Sequence, residues 1–223
     1  VFTNGDLHTH AVCGDANCGE HTDKIWQGVS RLDDITEAGY YYLTKDVTVI
    51  GKAWKPVNGV VLCLNGNSIV AAGSFDAISV DTGVTFTLTD CKPEGTAGQI
   101  THSFDGDGKR YISRGVDVSG TFNLYDGSIA NNDTGKLGNP GGGVAVADSG
   151  TFNMYGGTIT DNTAVSGGGV DLSDGTFNMT GGTITGNTTY GTENNGGGGV
   201  RVSKGTFTMS GTAVISGNKA ASG

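Results

Sequence analysis

The chain is short of proline, cysteine and positive charge, and each shortage excludes a class of protein. Three prolines and 41 glycines in 223 residues, with no strict Gly-X-Y period, exclude collagen and suit a turn-rich all-β chain. No run approaches the roughly 18 apolar residues that a membrane-spanning helix needs. Thirteen Lys and Arg against 22 Asp and Glu leave a formal charge of −9, which argues against nucleic acid or an anionic membrane as partner. There is no helical period of apolar residues. There is also no G-x-S-x-G elbow, and no Cys–His or Ser–His partnership outside one N-terminal cluster, so nucleophilic catalysis finds no support. The glycine runs lead into strand-like segments rather than a helix, so they are not phosphate loops. No signal peptide is visible, and Val1 in place of Met suggests a processed or trimmed chain.

What the chain does have is repetition. GGGVAVADSGTFNMYGGTITDNTAVS starts at Gly141, GGGVDLSDGTFNMTGGTITGN at Gly167 and GGGVRVSKGTFTMSGTAVISGN at Gly197, with a degenerate copy, RGVDVSGTFNLYDGSIANN, from Arg114. The Thr-Phe pair recurs at 121, 151, 176 and 206, in steps of 30, 25 and 30 residues. Propeller blades need roughly 40–50 residues each, whereas one turn of a parallel β-helix fits this spacing. Coils about 4.8 Å apart stack like residues into columns. The spacing predicts a buried stack of Phe122, Phe152, Phe177 and Phe207 and a second of Leu124, Met154, Met179 and Met209. Ile129, Ile159, Ile184 and Ile215 line a further wall, and Asn132, Asn162, Asn187 and Asn218 form an amide ladder. The glycine triplets mark a corner that needs positive φ or close backbone approach. The expected fold is an all-β, single-stranded parallel β-helix of about 25–30 residues per coil.

The first residues differ in composition. His8, His10, Cys13, Cys18 and His21 fall within fourteen residues, and two Cys with two His at such spacing can close a tetrahedral zinc site. A Cys13–Cys18 disulfide with incidental histidines is the other reading. Residues 22–39 read as an irregular or briefly helical crossing, with Trp26 packed over the open end of the solenoid. The chain thus divides into a His/Cys knuckle and cap over 1–39 and a β-helix over 40–223, irregular to 113 and regular from 114. In the irregular coils, Cys63 and Cys91 can pair or remain buried thiols. Asp105 and Asp107 resemble a fragment of a calcium loop or form an ordinary turn. His102 reads as a surface residue.

Three outward features can carry chemistry. Asp117, Ala145, Asp171 and Arg201 share one column. Asp117 and Asp171, two coils apart, would stand about 9–10 Å from each other, at the upper edge of the spacing used by inverting glycosidases. The plainer reading is an Asp171–Arg201 ion pair beside a solvated Asp117. Asn123, Asn153 and Asn178 form a second column, with Tyr125 and Tyr155 beside it. Stacked tyrosines flanked by amides suit sugar rings, or they merely brace the sheet. The loops over 133–140, 163–166 and 188–195 put two long insertions around a short one, a notch lined by Lys136, Tyr190, Glu193 and Asn194.

The GGGV and GTFNMYGGTITDNTA segments resemble the right-handed parallel β-helix modules of large cell-surface proteins from anaerobic Gram-positive gut bacteria. So do the GYYYLTKD run at Gly39–Asp46, the CLNG at Cys63–Gly66 and the N-terminal His/Cys block. The resemblance covers nearly the whole chain and implies the fold and a secreted or cell-surface habitat; taken with the outward tyrosines, amides and notch, the expected role is to bind polysaccharide or host glycan, or to serve as an adhesive scaffold. Pectate lyases share the architecture. Arg110 and Arg114 near Asp105 and Asp107 make a partial likeness to their site, so a polysaccharide lyase or glycoside hydrolase is the alternative. The closing GNKAASG matches DNTAVSG at Asp161–Gly167, so the chain stops in mid-repeat, and end-to-end self-association through that coil is a third reading.

Overall fold

A computed structural model describes residues 24–91, 97–136, 138–190 and 196–220. Among them the regular structure is almost all short parallel strand, in three large sheets of eight, seven and five strands and one small pair, Thr163–Ala164 with Thr188–Thr189. The eight-stranded sheet runs from Trp26–Val29 and Gly39–Leu43 through Thr121–Leu124 and Thr151–Met154 to Thr206–Met209. The seven-stranded sheet starts at Val47–Ile50 and ends at Val214–Ser216, and the five-stranded sheet spans Ile78–Val80 to Val200–Val202. Neighbours in each sheet come from successive turns of the chain. The three sheets are therefore the walls of a parallel β-helix, as the repeat spacing predicts.

Each strand turns alternate side chains inward, and the register sets like against like. Phe122 pairs with Phe152, Phe152 with Phe177 and Phe177 with Phe207. Their rings stack nearly parallel at 5.3, 4.8 and 4.8 Å, and Phe86 extends the column at 5.7 Å with Trp54 edge-on beyond it. The Leu124–Met154–Met179–Met209 and Ile129–Ile159–Ile184–Ile215 columns form in register, though Met209 at the end of its column is exposed rather than buried. Phe86, Phe122, Phe152 and Phe177 are fully buried, and burial of each ring contributes on the order of 2–3 kcal/mol.

The amide ladder also forms. Asn132, Asn162 and Asn187 each donate Nδ2 to the Oδ1 of the next ladder residue, at 3.0, 2.9 and 2.9 Å, and to a backbone carbonyl. The residue before each ladder Asn has positive φ: Asn131, Asp161, Gly186 and Gly217. Asn, Asp and Gly tolerate that left-handed turn best, which is why the copies spell it N-N, D-N, G-N and G-N. Both reasons for the glycine corner hold. Gly141 has φ +79°, while a β-carbon on Gly142 would lie 2.6 Å from the Gly168 carbonyl oxygen of the next coil.

Three expectations are corrected. The crossing before residue 39 contains a strand, Trp26–Val29, paired in parallel with Tyr40–Leu43 and followed by a 3₁₀ turn at Leu32–Asp34. Trp26 stands in register with Tyr40 on the outer face of the sheet, packed with Tyr42 and Cys63, and not over the end of the core. His102 is buried rather than exposed. Its Nδ1 lies 2.7 Å from Asn132 Oδ1 and its Nε2 2.9 Å from the Phe75 carbonyl, so it terminates the ladder.

Candidate functional site: the outer face of the eight-stranded sheet

Phe122 and Leu124 point inward, so Asn123 points out, as does Tyr125 one residue past the strand. The register puts Asn153 and Asn178 in the same outward column. Asn178 donates to Asn153 Oδ1 at 3.0 Å, Asn153 to Asn123 Oδ1 at 2.9 Å, and Asn123 to Thr87 Oγ1 at 3.2 Å. This second ladder is only half-buried, and each amide retains a further N–H and lone pair for a ligand. Beside it, the Tyr125 and Tyr155 rings stack at 4.5 Å with an interplanar angle of 21°. Thr180 follows Tyr155 in that column and is too small to cover it, and Tyr155 is 44% exposed. A flat aromatic face thus lies next to a row of amides spaced by the coil repeat.

The other candidates are tied into the framework. The column of Asp117, Ala145, Asp171 and Arg201 forms in register, but it does not face open solvent. The glycine corner lies across it: a β-carbon on Gly167 would sit 2.7 Å from that of Asp171. The Asp171 side chain is fully buried and held by Ser173 at 2.6 Å and Arg201 at 2.9 Å, the ion pair that the plainer reading expects. Asp117 is not freely solvated; Arg114 pairs with it at 3.0 Å while gripping Asp76 with Nε at 3.1 Å and Nη2 at 2.8 Å. Burial nevertheless raises the Asp117 pKa, with Arg114 opposing and Asp76, Asp148 and Asp81 adding to the rise. Asp76, which Ser113 also contacts at 2.6 Å, escapes sequence reading because it lies in an irregular coil with no counterpart in the repeats.

The lyase-like likeness is not assembled. Arg110 donates to the His102 carbonyl and lies 4.4 Å over the Phe104 ring. Asp105 Oδ1 accepts the Asp107 and Lys109 backbone N–H groups, an ordinary turn. Among the described residues no group of three or more His, Cys, Asp or Glu is placed to hold a metal, so the calcium expectation is corrected. The zinc expectation is corrected to the same extent, with no such site among the described residues; its own ligands His8, His10, Cys13, Cys18 and His21 lie outside them.

In the notch, Tyr190 donates its hydroxyl to Asp133 Oδ2 at 2.8 Å, and Lys136 Nζ stands 5.9 Å from the Tyr190 ring centre. Burial and the Asp133 carboxylate push the Tyr190 pKa up to about 12. The notch is thus bridged by its own side chains; Glu193 and Asn194 lie outside the described residues. Cys63 and Cys91 face each other as thiols rather than a disulfide, with Sγ atoms 3.2 Å apart. Burial, reinforced by Cys91, holds the Cys63 pKa well above the ordinary thiol range.

The class that the fold and this face define is a parallel β-helix carrying an exposed aromatic and amide ladder. Comparison with known proteins adds nothing to that class: no family model, no curated protein and no solved structure matches the chain significantly.

Proposed function

We propose that the chain is a secreted or cell-surface β-helix module that binds glycan, as an adhesive scaffold, through the outer face of its eight-stranded sheet. The observation that carries this reading is the Tyr125–Tyr155 stack with its uncovered Tyr155 face beside the Asn123–Asn153–Asn178 ladder. Sugar rings present axial C–H groups to a flat aromatic face, and their hydroxyls both donate and accept, as a side-chain amide does. The regular spacing suits a polymer better than a single sugar, because equivalent contacts recur along the solenoid axis.

The test is retention on a panel of immobilised plant and host polysaccharides. The wild-type chain should be retarded by at least one member, and Tyr155→Ala should weaken retention about tenfold or more, the loss of roughly 1.4 kcal/mol. Tyr125→Ala should cost less, since its contact to the ligand is shared with Tyr155. Retention that ignores both substitutions would refute this site. The same panel scored for unsaturated or reducing ends tests the degrading alternative, for which Asp117→Asn and Arg114→Ala would have to abolish turnover.

A further inference from the structure

Among the described residues the first turn of the solenoid is incomplete. Trp26–Val29 adds a strand to the eight-stranded sheet, and the chain then crosses over residues 30–38 to the next strand of that same sheet. Among the described residues no strand lies beyond Val47–Ile50, which ends the seven-stranded sheet with an open edge. Val47 donates its N–H to the Ser68 carbonyl at 2.8 Å, so Val47 and Val49 direct their backbone groups to the Ile69–Ala72 strand. Alternation along a parallel strand turns those of Thr48 and Ile50 to the open side. Ile50 itself is 75% exposed. A groove of about 710 Å³ is lined by this strand, by Leu32 and Ile35 of the crossing, and by Trp54.

The groove is also cationic in a chain of charge −9. Arg31, Lys45, Lys52 and Lys55 line it against two carboxylates, Asp33 and Asp46. Arg31 and Lys55 are neutralised by Asp33 at 3.4 Å and Asp81 at 2.9 Å, and Asp46 accepts the Ser68 N–H at 2.8 Å. Lys45 and Lys52, one just before the edge strand and one just after it, make no ion pair among the described residues.

We propose that this edge is a strand-addition site for an extended acidic peptide segment of a partner protein. The segment lies as a further strand beside Val47–Ile50 and hydrogen-bonds with the backbone of Thr48 and Ile50. Apolar side chains two residues apart pack on Val47, Val49 and Trp54. Carboxylates at the segment's two ends meet Lys45 and Lys52. An exposed edge of this kind otherwise invites indiscriminate pairing, and the flanking lysines select against uncharged and basic strands.

The probe is a fluorescein-labelled Glu-Glu-Val-Thr-Val-Glu-Glu peptide, followed by anisotropy with the whole chain. Saturable binding is expected, weakened about tenfold or more by Thr48→Pro, which removes a backbone donor that the fold itself does not use. The double variant Lys45→Glu/Lys52→Glu should lose the peptide and gain its all-lysine counterpart, and it decides the matter should Thr48→Pro fail to fold. Tyr155→Ala should leave the peptide affinity unchanged, which separates this site from the glycan face. Absence of saturation by about 1 mM, or equal affinity in all variants, would overturn the proposal. So would competition by oligogalacturonate that survives Thr48→Pro, which would mark a general polyanion site. Concentration-dependent dimerisation that Thr48→Pro abolishes would assign the edge to a second copy instead.

Discussion

At the residue scale, Asp117 shows how a position can resemble a catalytic acid and yet be a tolerated burden. Its pKa stands above the ordinary 3.8 because burial and the carboxylates of Asp76, Asp148 and Asp81 outweigh Arg114. The folded state therefore holds this proton more tightly than the unfolded chain does. Stability from this group is greatest below pH 3.8 and falls as pH rises through the elevated folded value. Asp117→Asn should accordingly be at least as stable as the wild type at pH 7, with the difference vanishing in strong acid; urea midpoints across pH check it. A loss of stability at pH 7 would show that the Arg114 pair dominates. The column containing Asp117 was legible from the repeat, but its burial was not. Against Asp117 stands Arg114, itself held by Asp76 of an irregular coil, a contact that no repeat pattern records.

At the scale of the element, the two asparagine ladders look alike in sequence and differ in physical consequence. The inner one is sealed. Asn162 is fully buried, accepts from both the backbone and side-chain nitrogens of Asn132, and donates to Ile129 and Asn187. Asn162→Ala would leave several of those partners unsatisfied and should cost about 3 kcal/mol or more. Asn153→Ala on the outer ladder should cost about 1 kcal/mol or less, because water can replace the amide there. Chemical denaturation of the two variants side by side measures the contrast. The inner ladder and the Phe column could be read from the sequence because equal offsets place equal residues at equal heights. Phe86 and His102 could not. Phe86 precedes its partner Phe122 by 36 residues rather than 25 or 30, since the excursion before residue 115 lengthens that coil. His102 follows Ile100 by two residues where Asn132 follows Ile129 by three, with no left-handed residue between, so the ladder's end is displaced by one position.

For the whole molecule, what matters is that described contacts run almost wholly between adjacent coils. Such a structure behaves as a one-dimensional array whose stability grows with the number of coils. Backbone hydrogen bonds lie along the solenoid axis, perpendicular to the strands. Tension applied along that axis meets them one coil at a time, as a zip is opened, and not all together, as a lap joint is sheared. Single-molecule pulling should therefore give a sawtooth in which each release of a 25- or 30-residue coil adds about 80–100 Å of contour length. One abrupt rupture of the entire chain would contradict this picture. For a molecule that tethers one surface to another, the same coil-to-coil bonding that aligns the tyrosines and amides would act as a shock absorber, dissipating load in steps before the grip on the ligand fails.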